Sequence, residues 1–489
     1  MSVAIPSSEQ AIPPDRGAVA SILIIIAPLV FLAICILSKY GVIVVPQGLR
    51  GGIIAGLLIS LFITGMPISI ALGLSVMTFM FTMTSVPIVT VSLKLFTGIE
   101  KFEIMSIPFF ILAGNFLTTG GVAKRMIYFA TTMIGHWYGG LGLAGVVSCA
   151  LFAAISGSSV ATVVAIGSIL LPAMVAQGYP KRFGAGVIAT SGALGILFPP
   201  SINLVIYSVA TSGMRPIGPD GHAVSSASIG QLFIAGVVPG LVLATLLGAM
   251  TFYQAYKHDY PRMPRASWGE RGRAFLDSFW GLFLIVIVIG GIYAGAFTPT
   301  EAAAMAAVYS FIVAVFVYKD LKLRDVPGVL LNSAAMSSMI LYIVTNAVLF
   351  SFLMVSEQIP QSMAAWMSAQ GFGVVSFLLL CNVILLAAGN VMDPSAIVLI
   401  FAPILFPVAV RLGVNPIHFG IMMAVNMEIG LCHPPVGLNL YVASGISKMG
   451  ISELTKSVLP WLLVMLAFLV VITYWPGLTL FVPNLLGMK

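Results

Sequence analysis

The 489-residue chain is 60% hydrophobic and only 8% charged, with a mean hydropathy of +1.10, against about 25% charged residues in an ordinary soluble domain. That composition excludes a soluble globular protein and describes an integral membrane protein, whose net charge of +7 belongs in juxtamembrane loops and is no argument for nucleic acid. The four cysteines, at 35, 149, 381 and 432, contain no CxxC pair and point to neither a zinc site nor a disulfide framework.

The apolar segments run too long for barrel strands, so the expected fold is all-α, with roughly eleven to thirteen membrane helices plus re-entrant hairpins. A polar N-terminal stretch precedes the apolar run from about Gly17 to Ser38, which lacks a small-residue cleavage signal and reads as a retained span. "IPFFILAGNFLTTGG" (107–121) is expected to be interrupted at Gly114 and Asn115 as a hairpin or hinge, with ordinary helix termination, or a helix-packing hydrogen bond by Asn115, the alternatives. In "AISGSSVAT" (154–162), Gly157 permits unusual backbone angles, and Ser156, Ser158, Ser159 and Thr162 supply small oxygen-bearing side chains. "GILFPPSINLVIY" (195–207) starts at Gly195 and sets Pro199 and Pro200 before Ser201 and Asn203. Proline lacks an amide donor and clashes with the preceding turn, so carbonyls there lose their usual partners. Such groups are costly against lipid and belong in a protein-lined or water-accessible place.

The loop 213–228 is rich in Gly, Pro and Ser, and its His222 reads as an exposed loop residue. "KHDYPRMPRASWGERGR" (257–273) carries five Lys/Arg against two acids and is expected on the cytoplasmic side, as is "YKDLKLRD" (318–325). Glu301, after Thr298-Pro299-Thr300, is expected to cap or gate a helix start, with direct cation coupling the alternative. Thr345 and Asn346 are candidate hinge residues or helix-packing partners. In "AGNVMDPSAI" (388–397), Gly389, Asn390 and Asp393 precede a proline, and Asp393 either caps the next half-helix or binds an ion. "GLCHPPVGLNLYV" (430–442) joins Gly430, His433, Pro434, Pro435, Gly437 and Asn439 in a second double-proline break.

These breaks share a register. "ILLPAMVAQG" (169–178) and "ILFPVAVRLG" (404–413) match at five of ten positions at an offset of 235, which also carries Gly195 onto Gly430 and the first proline pair onto the second. The expected organisation is an N-terminal tail and extra helix (1–48), a first repeat half (49–256), a basic cytoplasmic loop (257–276) and a second repeat half (277–489). Freed carbonyls suit a hard cation, and half-helix N-termini suit an organic anion. No Gly-rich GK[ST] loop or HExxH motif supports ATP hydrolysis or metallohydrolase chemistry, so a non-enzymatic role driven by an ion gradient is the simpler reading.

The stretches "GMPISIALG", "IPFFILAGNFL", "LFAAISGSSVATVVAIGSILLPAM", "GILFPPSINLVIY", "LFIAGVVPG", "GGIYAGAFTPTEAAAMAAVY", "MDPSAIVLIFAPILFPV" and "NPIHFGIMMAVNMEIGLCHPPVGLNLYVAS", spread over residues 49–485, resemble the large (DctM-like) membrane subunit of the tripartite ATP-independent periplasmic (TRAP) transporters. The resemblance implies a multi-pass protein of the bacterial inner membrane that imports a small organic acid by sodium-coupled, elevator-like alternating access. It also implies two partners, a small membrane subunit of the same system and a periplasmic substrate-binding protein; Na+ is the coupling ion and no other cofactor is expected. Matching the family patterns makes the serine segment and the two proline-proline regions the expected sodium and substrate core, with sodium held mainly by backbone oxygens near Ser156, Gly195, Gly389 and Gly430. A one-component sodium/organic-anion symporter and a non-transporting membrane scaffold remain the alternatives. The extra helix near the N-terminus departs from the family pattern and is expected either to contact the small subunit or to anchor the chain in lipid.

Overall fold

A computed structural model of the chain describes residues 16–434 and 436–488; Pro435, one of the expected break residues, lies outside the described residues. Among the described residues the regular structure is helical, apart from one isolated bridge between Ile217 and Ala223. In chain order the helices are α1 (Arg16–Lys39), α2 (Gln47–Ile63), α3 (Ile68–Met83), α4 (Ile88–Ile99), α5 (Ser106–Thr119), α6 (Val122–Ile134), α7 (Gly140–Ser156), α8 (Ser159–Ala176), α9 (Lys181–Ser191), α10 (Ile202–Thr211) and α11 (Ile229–Lys257). There follow α12 (Trp268–Ile285), continued through a π turn into α13 (Gly291–Tyr293), then α14 (Pro299–Ile312), α15 (Val326–Ser356), α16 (Ile359–Ala369), α17 (Val374–Gly389), α18 (Pro394–Arg411), α19 (Pro416–Cys432), α20 (Leu438–Ser447), α21 (Ile451–Tyr474) and α22 (Gly477–Leu485).

Local chemistry sets many of the starts. Ser228, Ser267 and Thr298 open α11, α12 and α14 with reciprocal capping boxes to Gln231, Glu270 and Glu301. Asp393 and Asn415 cap α18 and α19, each followed by a proline whose fixed φ suits the first helical position. Glu301 thus takes the capping role, with its carboxylate accepting from the Thr298 amide at 2.8 Å.

Eight helical stretches among the described residues are long and apolar enough to cross a membrane. Helix α11, with 29 residues, extends about 43 Å. By contrast α7, α10, α17 and α19 are apolar but only 10–17 residues long, short of the roughly 20 a crossing needs. These short helices flank the breaks and form the protein's centre. Every described residue from 183 to 209 is buried, as is all of α19. The prolines at 199 and 200, joined by a cis peptide bond, therefore lie inside protein.

The two hairpins, α7–α8 and α17–α18, have their bases at opposite ends of α11. At the Lys257 end, Met263 N donates to Gly135 O at 3.1 Å and the Tyr179 hydroxyl to Pro261 O at 2.5 Å, tying down the base of α7–α8. At the Ile229 end, Arg411 closes α18 beside Arg215 and Pro216. Helices α8 and α18 begin and end 235 residues apart, α9 and α19 begin 235 apart, and α10 and α20 begin and end 236 apart.

Two sequence expectations are corrected. Helix α5 runs unbroken through Gly114 and Asn115, and α15 runs unbroken through Thr345 and Asn346. Neither pair is a backbone interruption. Gly114 instead lets α5 approach the end of α7, since a Cβ there would sit 3.2 Å from Ser156 O, while Asn115 Nδ2 donates across to Ser333 Oγ of α15 at 2.8 Å. Thr345 and Asn346 donate back to Leu341 O and Tyr342 O of their own helix at 2.8 and 2.9 Å. Polar side chains that find partners without disturbing the backbone ladder leave a helix intact.

Candidate functional site

The first centre is the tip of α7–α8. Helix α7 ends at Ser156, and Gly157 turns the chain with φ of +60°, a conformation that favours glycine. A Cβ at Gly157 would also lie 2.5 Å from Pro200 O, so the tip rests directly on the broken strand of backbone between α9 and α10. Ser158 caps α8, accepting from Ala161 N at 3.4 Å. Thr162 Oγ1 donates to Ser158 O at 2.8 Å and lies 3.1 Å from Ser156 Oγ. On the facing element, a Cβ on Gly195 would approach the Ser158 carbonyl carbon and Ser159 amide to 2.7 Å. The expected residues Ser156, Gly157, Ser158, Ser159, Thr162, Gly195 and Pro200 thus come together. Ser201 caps α10, and Pro199 turns toward an apolar cleft of 790 Å³ beside α7 and α11.

The second centre has the same plan in other residues. Gly389 at the end of α17 crosses Gly430 of α19 so closely that a Cβ on either would lie 2.8 Å from the other's Cα. Asn390 Oδ1 meets His433 Nδ1 at 3.1 Å. Asp393 accepts from Ser395 N at 2.9 Å, a cap geometry. Pro434 is half-buried, and Gly437 precedes α20, where Asn439 is fully buried.

Two hydrogen bonds join the centres crosswise. Ser395 Oγ, at the start of α18, donates to Asn203 Oδ1 of α10 at 3.2 Å. Asn439 Nδ2 of α20 donates to Ser159 Oγ, at the start of α8, at 2.8 Å, and Ser159 Oγ donates in turn to Gly192 O at 3.0 Å. Each asparagine and each serine has its counterpart 236 positions away. Asn115, Asn346 and Glu301 stand outside both centres, and Glu301 is exposed.

Glu428, Asn426 and Asn382 were missed by the sequence reading. Glu428 is wholly buried in α19, where its carboxylate faces the backbone of Ile196 and Leu197 without a close hydrogen bond to any described residue. Asn426 Nδ2 bonds Asn382 Oδ1 at 2.9 Å, and Asn382 Nδ2 bonds Thr473 Oγ1 at 2.9 Å. The signal for Glu428 was legible, since it is the one acid between Asp393 and Glu453 and an intramembrane acid suggests function by default. Asn439 Oδ1 and Asn426 Oδ1 are buried acceptors without a partner among the described residues. Among the described residues no three His, Cys, Asp or Glu side chains gather as a metal cluster. The centres offer hydroxyl, amide and carbonyl oxygens, a donor set for a hard, weakly held cation.

The family model for the DctM component of tripartite ATP-independent periplasmic transporters matches residues 55–478. The C4-dicarboxylate TRAP transporter large permease protein DctM of Rhodobacter capsulatus is 72% identical over 436 residues, covering 89% of this chain and 99% of that protein. Proteins of the same name from Pseudomonas aeruginosa and Vibrio cholerae are 50% and 44% identical, covering 82% and 88% of this chain and 90% and 96% of their own lengths. In three dimensions the chain is similar to the YdaH transporter of Alcanivorax borkumensis, with a TM-score of 0.59 at 16% identity over 80% of this chain and 89% of that one. It is also similar to MtrF of Neisseria gonorrhoeae, with a TM-score of 0.54 at 15% identity over 79% and 83%. At these identities the likeness is one of fold, an all-α architecture of many membrane-spanning helices. The chain belongs to the DctM family: it is a multi-pass membrane permease component of a TRAP transport system, a class whose large permeases work with a small membrane subunit and a periplasmic binding protein and couple transport to sodium.

Proposed function

We propose that this permease imports a small dicarboxylate together with sodium, moving both past a fixed scaffold by an elevator-like displacement of two inverted repeat units, 49–256 and 277–489. The observation that carries the reading is the crosswise pair of bonds, Asn203 to Ser395 and Asn439 to Ser159. Each half contributes to the other half's helix start, so the two breaks form one body able to move as a unit. The matched element boundaries and the hairpin bases at opposite ends of α11 support the inverted arrangement. Dicarboxylate as the substrate class follows the names of the relatives at 44–72% identity.

In this reading sodium occupies oxygens at the two tips, chiefly backbone carbonyls near Ser156, Gly195, Gly389 and Gly430 with help from Ser158, Ser159 and Thr162. It thereby holds each tip against its broken helix. The anion then meets the N-terminal ends of α8, α10, α18 and α20, whose dipoles favour negative charge. Asn203, Asn390, Asp393, Asn439 and Ser201 border that space, while Pro199, Pro200, Pro434 and Gly437 shape it. Helix α1 precedes the first unit and packs on α2 and α3.

The test is uptake of radiolabelled succinate into proteoliposomes that contain this permease, its small membrane subunit and its binding protein. Uptake is expected to need both an inward sodium gradient and the binding protein. Uptake unchanged on removing either one overturns the coupled reading, and normal uptake by this chain alone favours a one-component symporter.

A further inference from the structure

At the end of α11 away from the basic 257–273 loop, an open cleft of 560 Å³ separates two sets of helices. One wall is α4 and α15; the other is the end of α10, the turn through residues 212–216, and α18. Its size suits a small ligand. Lys94, Lys101 and Arg215 line it, and no Asp or Glu does. An adjoining cleft of 220 Å³ shares Arg215 and adds Arg411, again with no acid in its lining.

These cations are poorly compensated. Lys94 Nζ stands 5.0 Å from the centre of the Phe352 ring. Lys101 Nζ donates to Ser212 O at 3.1 Å, which leaves two of its three hydrogens for another acceptor. The side chains of Arg215 and Arg411 make no hydrogen bond or ion pair with the described residues. Burial lowers the proton affinity of Lys101, with Glu103 acting in the opposite direction. Like charges gathered between low-dielectric walls repel one another until an anion joins them.

The cleft is also connected to the centre. Helices α10 and α18, which carry the Asn203–Ser395 bond at their starts, line it farther along, through Val209 and Ala210 on α10 and through Leu399, Pro403 and Pro407 on α18. The six-residue step from Asn203 to Val209 on α10 sets the two places about 9 Å apart along the helix. The positive-inside rule places this end of the molecule outside the cytoplasm, where substrate arrives.

We infer that this cleft is a capture site for the transported anion, in which Lys94, Lys101 and Arg215 hold a dicarboxylate before it passes along α10 and α18 to the broken-helix centre. The inference rests on the dicarboxylate-import reading above. The test compares the wild-type permease with K94Q/K101Q/R215Q and with the charge-preserving K94R/K101R/R215K, each reconstituted with its small subunit and binding protein. The neutral variant is expected to raise the KM for binding-protein-delivered succinate about tenfold, with kcat little changed and a flatter response to added salt; the charge-preserving variant restores the wild-type KM. In detergent, without the binding protein, succinate should raise the melting temperature of the wild type but not of the neutral variant. Equal KM values and equal succinate shifts in a working wild type overturn the capture site while leaving the import reading intact. Loss of binding-protein docking with an unchanged succinate shift overturns it in favour of a docking surface. Loss of retained anionic lipid with unchanged uptake overturns it in favour of a lipid site. A wild type that imports no succinate under any sodium gradient removes both readings together.

Discussion

The two broken-helix centres share a backbone plan and differ in chemistry. At the α7–α8 tip, Ser156 and Thr162 bond to each other, Thr162 and Ser159 donate to Ser158 O and Gly192 O, and Ser158 Oγ accepts from Ala161 N. At the α17–α18 tip, the contact is a bare crossing of Gly389 on Gly430, flanked by an amide, a carboxylate and an imidazole at Asn390, Asp393 and His433. Glycine close approaches set the geometry in both places. The polar groups around them are not interchangeable, which teaches that geometry and ligand chemistry are separable layers of this fold. It also suggests a division of labour, with the hydroxyl-rich tip attending mainly to sodium and the second tip to the anion as well.

The strongest way to break that division is to push each tip off its partner. Gly195→Ala and Gly430→Ala each introduce a methyl against backbone, an overpacking that costs about 1–3 kcal/mol. Gly195→Ala is expected to weaken sodium activation of uptake by tenfold or more, roughly in line with that energy, whereas Gly430→Ala should raise the KM for succinate as well. Identical effects on sodium activation and KM in the two variants would remove the distinction. Next in size is Glu428→Gln, which neutralises a wholly buried carboxylate beside the backbone of Ile196 and Leu197. Uptake should fall about tenfold without loss of thermal stability; undiminished uptake would make Glu428 a packing residue.

Double-mutant cycles sharpen the comparison more gently. Ser159→Ala with Asn439→Ala, and Asn203→Ala with Ser395→Ala, should each show a coupling of about 0.6 kcal/mol in unfolding measurements, typical of hydrogen bonds between membrane helices. Coupling in one cycle alone would show that the crosswise arrangement is lopsided. Smallest is Glu301→Ala, which removes a cap outside both centres and should lower the melting temperature only slightly while leaving sodium dependence unchanged.

Much of the central architecture was legible because breaks are written locally. Proline pairs, Gly157 and the 235-residue offset each announce themselves within a few residues, and Asp393 and Ser158 stand where caps belong. Asn115 and Asn346 misled for the same reason. A polar residue after a glycine or threonine resembles a break until its partner is known, and the partner of Asn115 is Ser333, 218 positions away. The crosswise bonds span 192 and 280 positions, so no local pattern could disclose them. The anion cleft was hidden likewise, because α4, the end of α10 and α15 meet only in three dimensions. Glu428 was visible in the chain but sat in an apolar run read chiefly for its following prolines.

The crosswise bonds also bear on how the chain is put together. Neither half owns a finished centre: the first lends Asn203 to the start of α18, and the second lends Asn439 to the start of α8. Ser159 therefore has its asparagine only when α20 is in place. Two separately expressed pieces cut within 257–273 should acquire sodium-dependent transport only when they meet in the same membrane.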